Sequence, residues 1–269
     1  MSDTASRTRT ALVTGASSGI GRAVAAALAA RGLRVYGTSR NPGAVADPPP
    51  GVAFLPLDLA DPASVEACGA AAGEVDVLVN NAGESQVGPL EELPMEAVER
   101  LFRTNVFGAV RLTQLLLPGM RARRYGRVVM VGSMLASFPL AYRSSYVASK
   151  AALKGFADAA RREAAPFGVG ITTVEPGSIN TGISGRRTIH VRPDSPYGAE
   201  LRTMLGRLDA NEARGVSAER VAATVLRAVD APRPRPLYAV GSAAPLVFPL
   251  RRLLPRSAVL RLTARRHGL

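Results

Sequence analysis

Tyr146 and Lys150 stand four residues apart in Ser144-Ser145-Tyr146-Val147-Ala148-Ser149-Lys150, a segment whose composition suits a helix. At that spacing both side chains leave the same face. A phenol is a poor proton donor or acceptor at neutral pH, but an ammonium within reach favours the phenolate and makes the pair a usable acid and base. The chain has only two lysines, Lys150 and Lys154, and otherwise takes its positive charge from arginine, which makes lysine at position 150 a specific choice. Taken alone, the pair also fits a solvated helix face.

The elements that must position such an acid begin near the N-terminus. Residues 11–13 read as a short buried strand, followed by Thr14-Gly15-Ala16-Ser17-Ser18-Gly19-Ile20-Gly21 and a helical run over 22–31. Gly15, Gly19 and Gly21 let the backbone turn sharply and approach a pyrophosphate, and the N–H groups and dipole at a helix N-terminus favour an anion. The same turn could also join a strand to a helix and bind nothing. Further strands are expected at 34–38, ending in Ser39-Arg40-Asn41, and at 52–56, after a Pro48-Pro49-Pro50 loop. Others follow at 75–79, ending in Asn80-Asn81-Ala82-Gly83, at 127–132, ending in Ser133, and at 170–174, before Glu175-Pro176-Gly177-Ser178-Ile179-Asn180-Thr181. Strands alternating with helices imply an α/β fold with a parallel sheet and right-handed crossovers. The 269 residues show no repeat or linker and suit one domain over 1–269.

In this order the chain carries T-G-x-x-x-G-x-G, N-N-A-G, an asparagine (Asn105) in a helical pattern, a serine, Y-x-x-x-K and P-G. The set resembles the short-chain dehydrogenase/reductases, over roughly residues 9 to 240. The resemblance implies a Rossmann-type doubly wound parallel sheet with helices on both faces. It also implies an oxidoreductase that interconverts a carbonyl and an alcohol by direct hydride transfer with a nicotinamide dinucleotide. Tyr146 would exchange the proton, Lys150 would assist it and bind the nicotinamide ribose, Ser133 would donate to the substrate oxygen, and Asn105 would hold a water linking the lysine to solvent. Alone, Asn105 also fits a cap and Ser133 a turn.

On the cofactor side the resemblance places Ser17, Ser18 and Ile20 with the three glycines around the pyrophosphate. Asp58 and Leu59 would flank the adenine, and Asn81, Ala82 and Gly83 would line the dinucleotide. Pro176, Gly177, Ile179 and Thr181 would turn over the nicotinamide, although the proline and glycine equally make a bare turn. Ser39 stands where an acidic residue would hold the ribose hydroxyls, and Arg40 follows it, so NADP(H) is favoured over NAD(H); Arg40 could also be simply solvated. The wording around Gly88-Pro89-Leu90 and Asn105-Val106-Phe107-Gly108 is closer to the hydroxysteroid- and retinol-dehydrogenase-like branch than to acyl-carrier-protein reductases. A non-catalytic dinucleotide-sensing regulator on the same fold is the alternative function.

A substrate lid is expected over 182–215. Val87, Met134, Leu135, Phe138, Leu140 and Ile183 flank the motifs and suit an apolar pocket or core, implying a small to medium, partly apolar carbonyl or alcohol substrate. Arg186, Arg187 and Arg192 read as solvated or as contacts for anions. A single cysteine, Cys68, precludes an internal disulfide, and no metal site is expected. The formal charge of +13 is spread over scattered arginines without a nucleic-acid motif, so no nucleic acid partner is expected. The first ten residues have no apolar core and no long apolar span follows, which points to a cytoplasmic protein with no transmembrane segment. The tail over 241–269 is basic and amphipathic but broken by Pro249 and Pro255. It reads first as a pocket cover or a subunit contact in a homodimer or homotetramer, with peripheral membrane contact as a further reading.

Overall fold

The computed structural model describes residues 8–180 and 184–269. Strand β1 (Thr10–Val13) turns into α1 (Gly19–Ala29), followed by β2 (Arg34–Ser39), β3 (Val52–Pro56), α2 (Pro62–Ala72) and β4 (Val77–Asn80). After β5 (Gln86–Val87) come α3 (Met95–Phe102), a π-helical turn over Arg103–Phe107, α4 (Gly108–Ala122) and β6 (Gly126–Val131). Helix α5 (Ser144–Ala164), β7 (Val169–Pro176), β8 (Thr188–Ile189), α6 (Gly198–Ala213) and α7 (Ala218–Asp230) lead to β9 (Leu237–Val240), α8 (Ala244–Leu253) and α9 (Arg256–Arg266).

Seven strands form one parallel sheet in the order β3-β2-β1-β4-β6-β7-β9, and β5 pairs with β8 in a separate two-stranded ladder. The period-two alternation of buried strands decides what covers each face. Leu12, Leu78, Val128, Met130 and Ile171 point toward α2, α4 and α5, where Leu112, Met120 and Leu153 meet them. Ala11, Val13, Val79, Val129 and Val174 point the other way, toward Val24 and Leu28 of α1 and Val221 and Val225 of α7. Full burial of each such leucine or valine contributes about 1.5–3 kcal/mol, so the sheet is fixed from both sides and its loops inherit that rigidity. Cys68 of α2 packs in the first of these cores, where burial pushes its thiol up to about 11. None of the described helices is long and apolar enough to cross a membrane.

Strand order reverses between β1 and β4, so the connections leaving their carboxyl ends diverge to opposite faces and leave a crevice between them. The expected lid contains more regular structure than its polar composition suggests. Within it α6 buries Leu201, Met204 and Leu208 at helical spacing. The tail is helical too: Pro249 is accommodated inside α8, whereas at Pro255 the helical run is interrupted as expected, α8 ending at Leu253 and Pro255 serving as the N-cap of α9.

Candidate active site

The carboxyl ends of β1, β2, β4, β6 and β7 open on a cavity of about 1060 Å³. At one end lies the glycine turn. Gly15 adopts φ +67°, and a methyl group on Gly21 would stand 2.3 Å from Gly15 O and 2.5 Å from Asn81 Nδ2, so only glycine lets α1 start this close to the turn. The Thr14 hydroxyl accepts from the amides of both Asn81 and Ala82 at 2.9 Å, and Asn81 Nδ2 donates to Thr14 O at 2.9 Å. The first and fourth strand ends are thereby stitched together. Ser18, the N-cap of α1, supplies no side-chain cap, so the helix start opens on the cavity with Ser17, Gly19 and Ile20 beside it. That uncapped, glycine-walled helix start fits a pyrophosphate.

Ser39 and Arg40 border the same end. The Ser39 hydroxyl closes a turn onto Asn41 N at 3.2 Å, leaving the Arg40 side chain exposed at the rim. Asp58 and Leu59 form the neighbouring edge, with Asp58 Oδ1 accepting from Ala60 N at 2.9 Å.

The other end belongs to α5. It starts at Ser144, so Tyr146 occupies its first turn and Lys150 the next, both buried and both on the cavity wall. Lys150 Nζ donates to Val131 O at 3.1 Å and lies 5.9 Å from the centre of the Tyr146 ring. Ser133 follows β6 and borders the cavity while its Oγ accepts from Leu135 N at 3.2 Å. Asn105 does not line the cavity. The π turn, which inserts an extra residue between α3 and α4, holds it buried behind Lys150, with Oδ1 accepting from Glu84 N at 2.8 Å and Nδ2 donating to Glu84 O at 3.0 Å and Ser149 Oγ at 3.1 Å. A methyl group on Gly83 would approach Asn105 Oδ1 to 2.9 Å and Lys150 Nζ to 3.4 Å, so the N-N-A-G loop lies against both. The second lysine is structural: Lys154 pairs with the fully buried Glu175 at 2.9 Å and donates to Ser137 Oγ at 2.9 Å. Pro176, Gly177 and Ile179 leave β7 along the cavity; Thr181 and Ile183 lie outside the described residues.

Of the apolar residues flanking the motifs, Met134, Leu135 and Phe138 line the cavity. Val87 and Leu140 do not: they pack with Leu201, Met204 and Leu208 beneath α6, a correction to the pocket expected from their sequence neighbours. Their place is taken by residues that the sequence reading left unassigned, Val247, Leu250, Leu254 and Leu262 of α8 and α9 and the loop between them. Phe248 of α8 packs edge-on against Phe138 at 5.2 Å. Arg187 is buried between Asp209 at 2.6 Å and Glu212 at 2.8 Å, tying the segment before β8 to α6, and Arg186 reaches Ser18 Oγ at 2.9 Å. Arg143, also unassigned from sequence, lies three residues before Tyr146 with its guanidinium 4.4 Å over the tyrosine ring. Burial pushes its pKa downward, and burial does the same to His267 at the end of α9, with smaller contributions from Arg266 and Arg143.

Known proteins share this arrangement. Residues 9–191 match the family described as short chain dehydrogenase. Human retinol dehydrogenase 8 is 40% identical over 208 residues, covering 73% of this chain and 67% of the relative, in keeping with the branch resemblance. A short-chain dehydrogenase from Streptomyces avermitilis superposes with a TM-score of 0.82 at 34% identity over 96% of both chains. A Burkholderia cenocepacia short chain dehydrogenase, determined in complex with NADP, gives a TM-score of 0.76 at 26% identity over 95% of this chain and 97% of its own. The chain belongs to the short-chain dehydrogenase/reductase family of oxidoreductases.

Proposed function

We propose that this protein interconverts a carbonyl and an alcohol with NADP(H), with Tyr146 as proton donor and acceptor. The observation that carries the reading is that Tyr146 and Lys150, one helical turn apart and both buried, border the same cavity as the uncapped start of α1. Ser17, Ser18, Gly19 and Ile20 would hold the pyrophosphate, and Asn81, Ala82 and Gly83 the adjoining wall. Pro176, Gly177 and Ile179 would cover the nicotinamide, which when bound supplies or accepts the hydride. In reduction Tyr146 gives its proton to the substrate oxygen, and in oxidation it takes one back. The Lys150 ammonium, 5.9 Å from the centre of the Tyr146 ring, would assist the proton transfer and hold the nicotinamide ribose. The Ser133 hydroxyl donates to the same substrate oxygen and stabilises its developing charge. Asn105, fixed on both faces by Glu84, positions the surroundings of Lys150 and connects them to solvent. Arg40 would pair with the 2′-phosphate, a reading supported by the NADP bound to the Burkholderia relative and by the absence of an acidic side chain at Ser39.

The test is turnover of a panel of ketones, aldehydes and alcohols with NADPH, NADP⁺, NADH and NAD⁺, followed by nicotinamide absorbance. Turnover with the phosphorylated cofactor is expected, and Tyr146→Phe should lose roughly 10²–10⁴-fold in kcat while binding cofactor normally. Near-normal kcat in that variant removes the tyrosine mechanism. Cofactor binding with no turnover of any substrate makes the chain a dinucleotide sensor.

A further inference from the structure

We propose that Arg143 is the counter-ion for a carboxylate carried by the substrate close to its reacting carbonyl, so that the preferred substrates are α- or β-oxo acids, and the matching hydroxy acids, with an apolar remainder. The inference rests on the reading of Tyr146 given above.

Arg143 is placed with effort. Tyr142 before it adopts φ +63°, a left-handed conformation that costs a bulky residue free energy, and its carbonyl is held there by Gly88 N at 2.9 Å. The turn delivers Arg143 as the N-cap of α5, 4% exposed, against the ring of the proposed proton donor and on the cavity wall. A guanidinium keeps its charge at any ordinary pH, so burying one requires partners. Arg127, also buried, has them: it donates to the carbonyls of Gly126, Gly168, Ala231 and Pro232. Among the described residues Arg143 donates from Nη2 to the neutral hydroxyl of Ser85 at 3.1 Å, its Nε has no partner, and no carboxylate forms an ion pair with it.

The nearby acids are engaged elsewhere. Asp209 and Glu212 both pair with Arg187, and Glu84 pairs with Arg100 at 2.9 Å. Of the charges that act on Arg143, Glu212 favours its ionised form and Arg187 opposes it, and His267 of α9, close enough to feel Arg143, adds no negative charge. A buried, planar five-donor fork that stacks on the Tyr146 ring, donates to the neutral Ser85 hydroxyl and leaves Nε without a partner on a cavity wall matches a carboxylate taken in by the ligand. The apolar wall of Met134, Leu135, Phe138, Leu250, Leu254 and Leu262 receives the rest of the molecule.

The test pairs α-oxo-octanoate and β-oxo-octanoate with their methyl esters. In the wild type, kcat/KM for the acids should exceed that for the esters by about tenfold or more. Arg143→Met should lower kcat/KM for the acids about ten- to a hundredfold more than for the esters, with NADPH affinity retained. Equal wild-type use of acid and ester, or equal loss of both in Arg143→Met, overturns the inference while leaving the oxidoreductase reading intact. Absence of any carbonyl turnover overturns that reading instead, and the carboxylate site is then judged by thermal shift. Octanoate, but not octanol, should raise Tm in the presence of NADP⁺, and Arg143→Met should abolish the shift; the same shift with octanol, or its survival in the variant, overturns the site. If Arg143→Met fails to bind cofactor, the octanoate and octanol comparison in wild type and in Arg143→Lys decides.

Discussion

The two ends of the cavity are held by different means. At the nucleotide end the contacts are largely between backbone groups and short side chains: Thr14 to Asn81 and Ala82, Gly21 against Gly15, and the bare start of α1. At the substrate end they are between long side chains from distant segments, Arg187 with Asp209 and Glu212 and Phe138 with Phe248, and Met134, Leu250 and Leu262 line the same cavity. Backbone suits the part of a site whose geometry must not vary, whereas side chains suit selectivity, because they can change without disturbing the sheet.

The largest effect is expected where the two ends meet. Lys150 is tied to β6 through Val131 O and stands between the Tyr146 ring and the N-N-A-G loop. Lys150→Ala should lower kcat by roughly 10²–10⁴-fold and weaken NADPH binding as well, as read by single-turnover absorbance and by cofactor fluorescence titration. Loss of turnover with unchanged cofactor affinity would confine Lys150 to proton chemistry and remove its ribose role.

A smaller effect should fall on the substrate end alone. The Arg187 side chain is 3% exposed and pairs with two acids, of which Asp209 is half-exposed. Breaking a fully buried pair costs ~3–5 kcal/mol, and the exposure of Asp209 reduces that to about 2 kcal/mol here. Arg187→Met should expose the 184–215 segment to limited proteolysis and raise KM for the carbonyl substrate, with NADPH affinity kept. Equal losses in substrate and cofactor affinity would break the distinction between the two ends.

The same distinction explains what was legible in the sequence. The glycine turn, N-N-A-G and Y-x-x-x-K are contiguous runs that are legible as a set, and a parallel sheet follows from buried strands alternating with helices, whereas the strand order and β9 are not legible there. Asn105 was legible as a residue but not as the centre of a π turn, since the chain from 95 to 122 has one unbroken helical pattern. Val87 and Leu140 sit beside motifs yet turn under α6, because adjacency in sequence says nothing about which side of a loop a side chain takes. The prolines at 249 and 255 read as interruptions; Pro255 is one, standing between α8 and α9, whereas Pro249 is absorbed in α8. Arg143 carries no local signal: among 34 basic residues, of which two are lysine, only burial distinguishes it.

The smallest effect separates the two nucleotide cofactors rather than the two ends. Arg40 follows the carboxyl end of β2 at the rim of the cavity, and Ser39 before it spends its hydroxyl on the Asn41 turn. Only NADPH carries a phosphate for Arg40 to meet, so Arg40→Ala should weaken NADPH and leave NADH nearly unchanged. A charge-assisted contact contributes ~1.5–3 kcal/mol when desolvated. Arg40 is exposed, so about 1.4 kcal/mol, or roughly tenfold in Kd, is the expected loss. Ser39→Asp should move the ratio the same way by a separate route, repelling the phosphate while accepting from the ribose hydroxyls that NADH offers. Because the contact is screened, the Arg40 effect should shrink between low and high salt whereas the hydrogen bonds of Ser39→Asp to NADH should persist. Titration of both cofactors against wild type and the two variants reads all of this. Equal losses for NADH and NADPH in Arg40→Ala would make the arginine a support for the β2 turn, and a wild type that binds NADH more tightly would move the basis of cofactor choice away from Ser39 and Arg40 altogether.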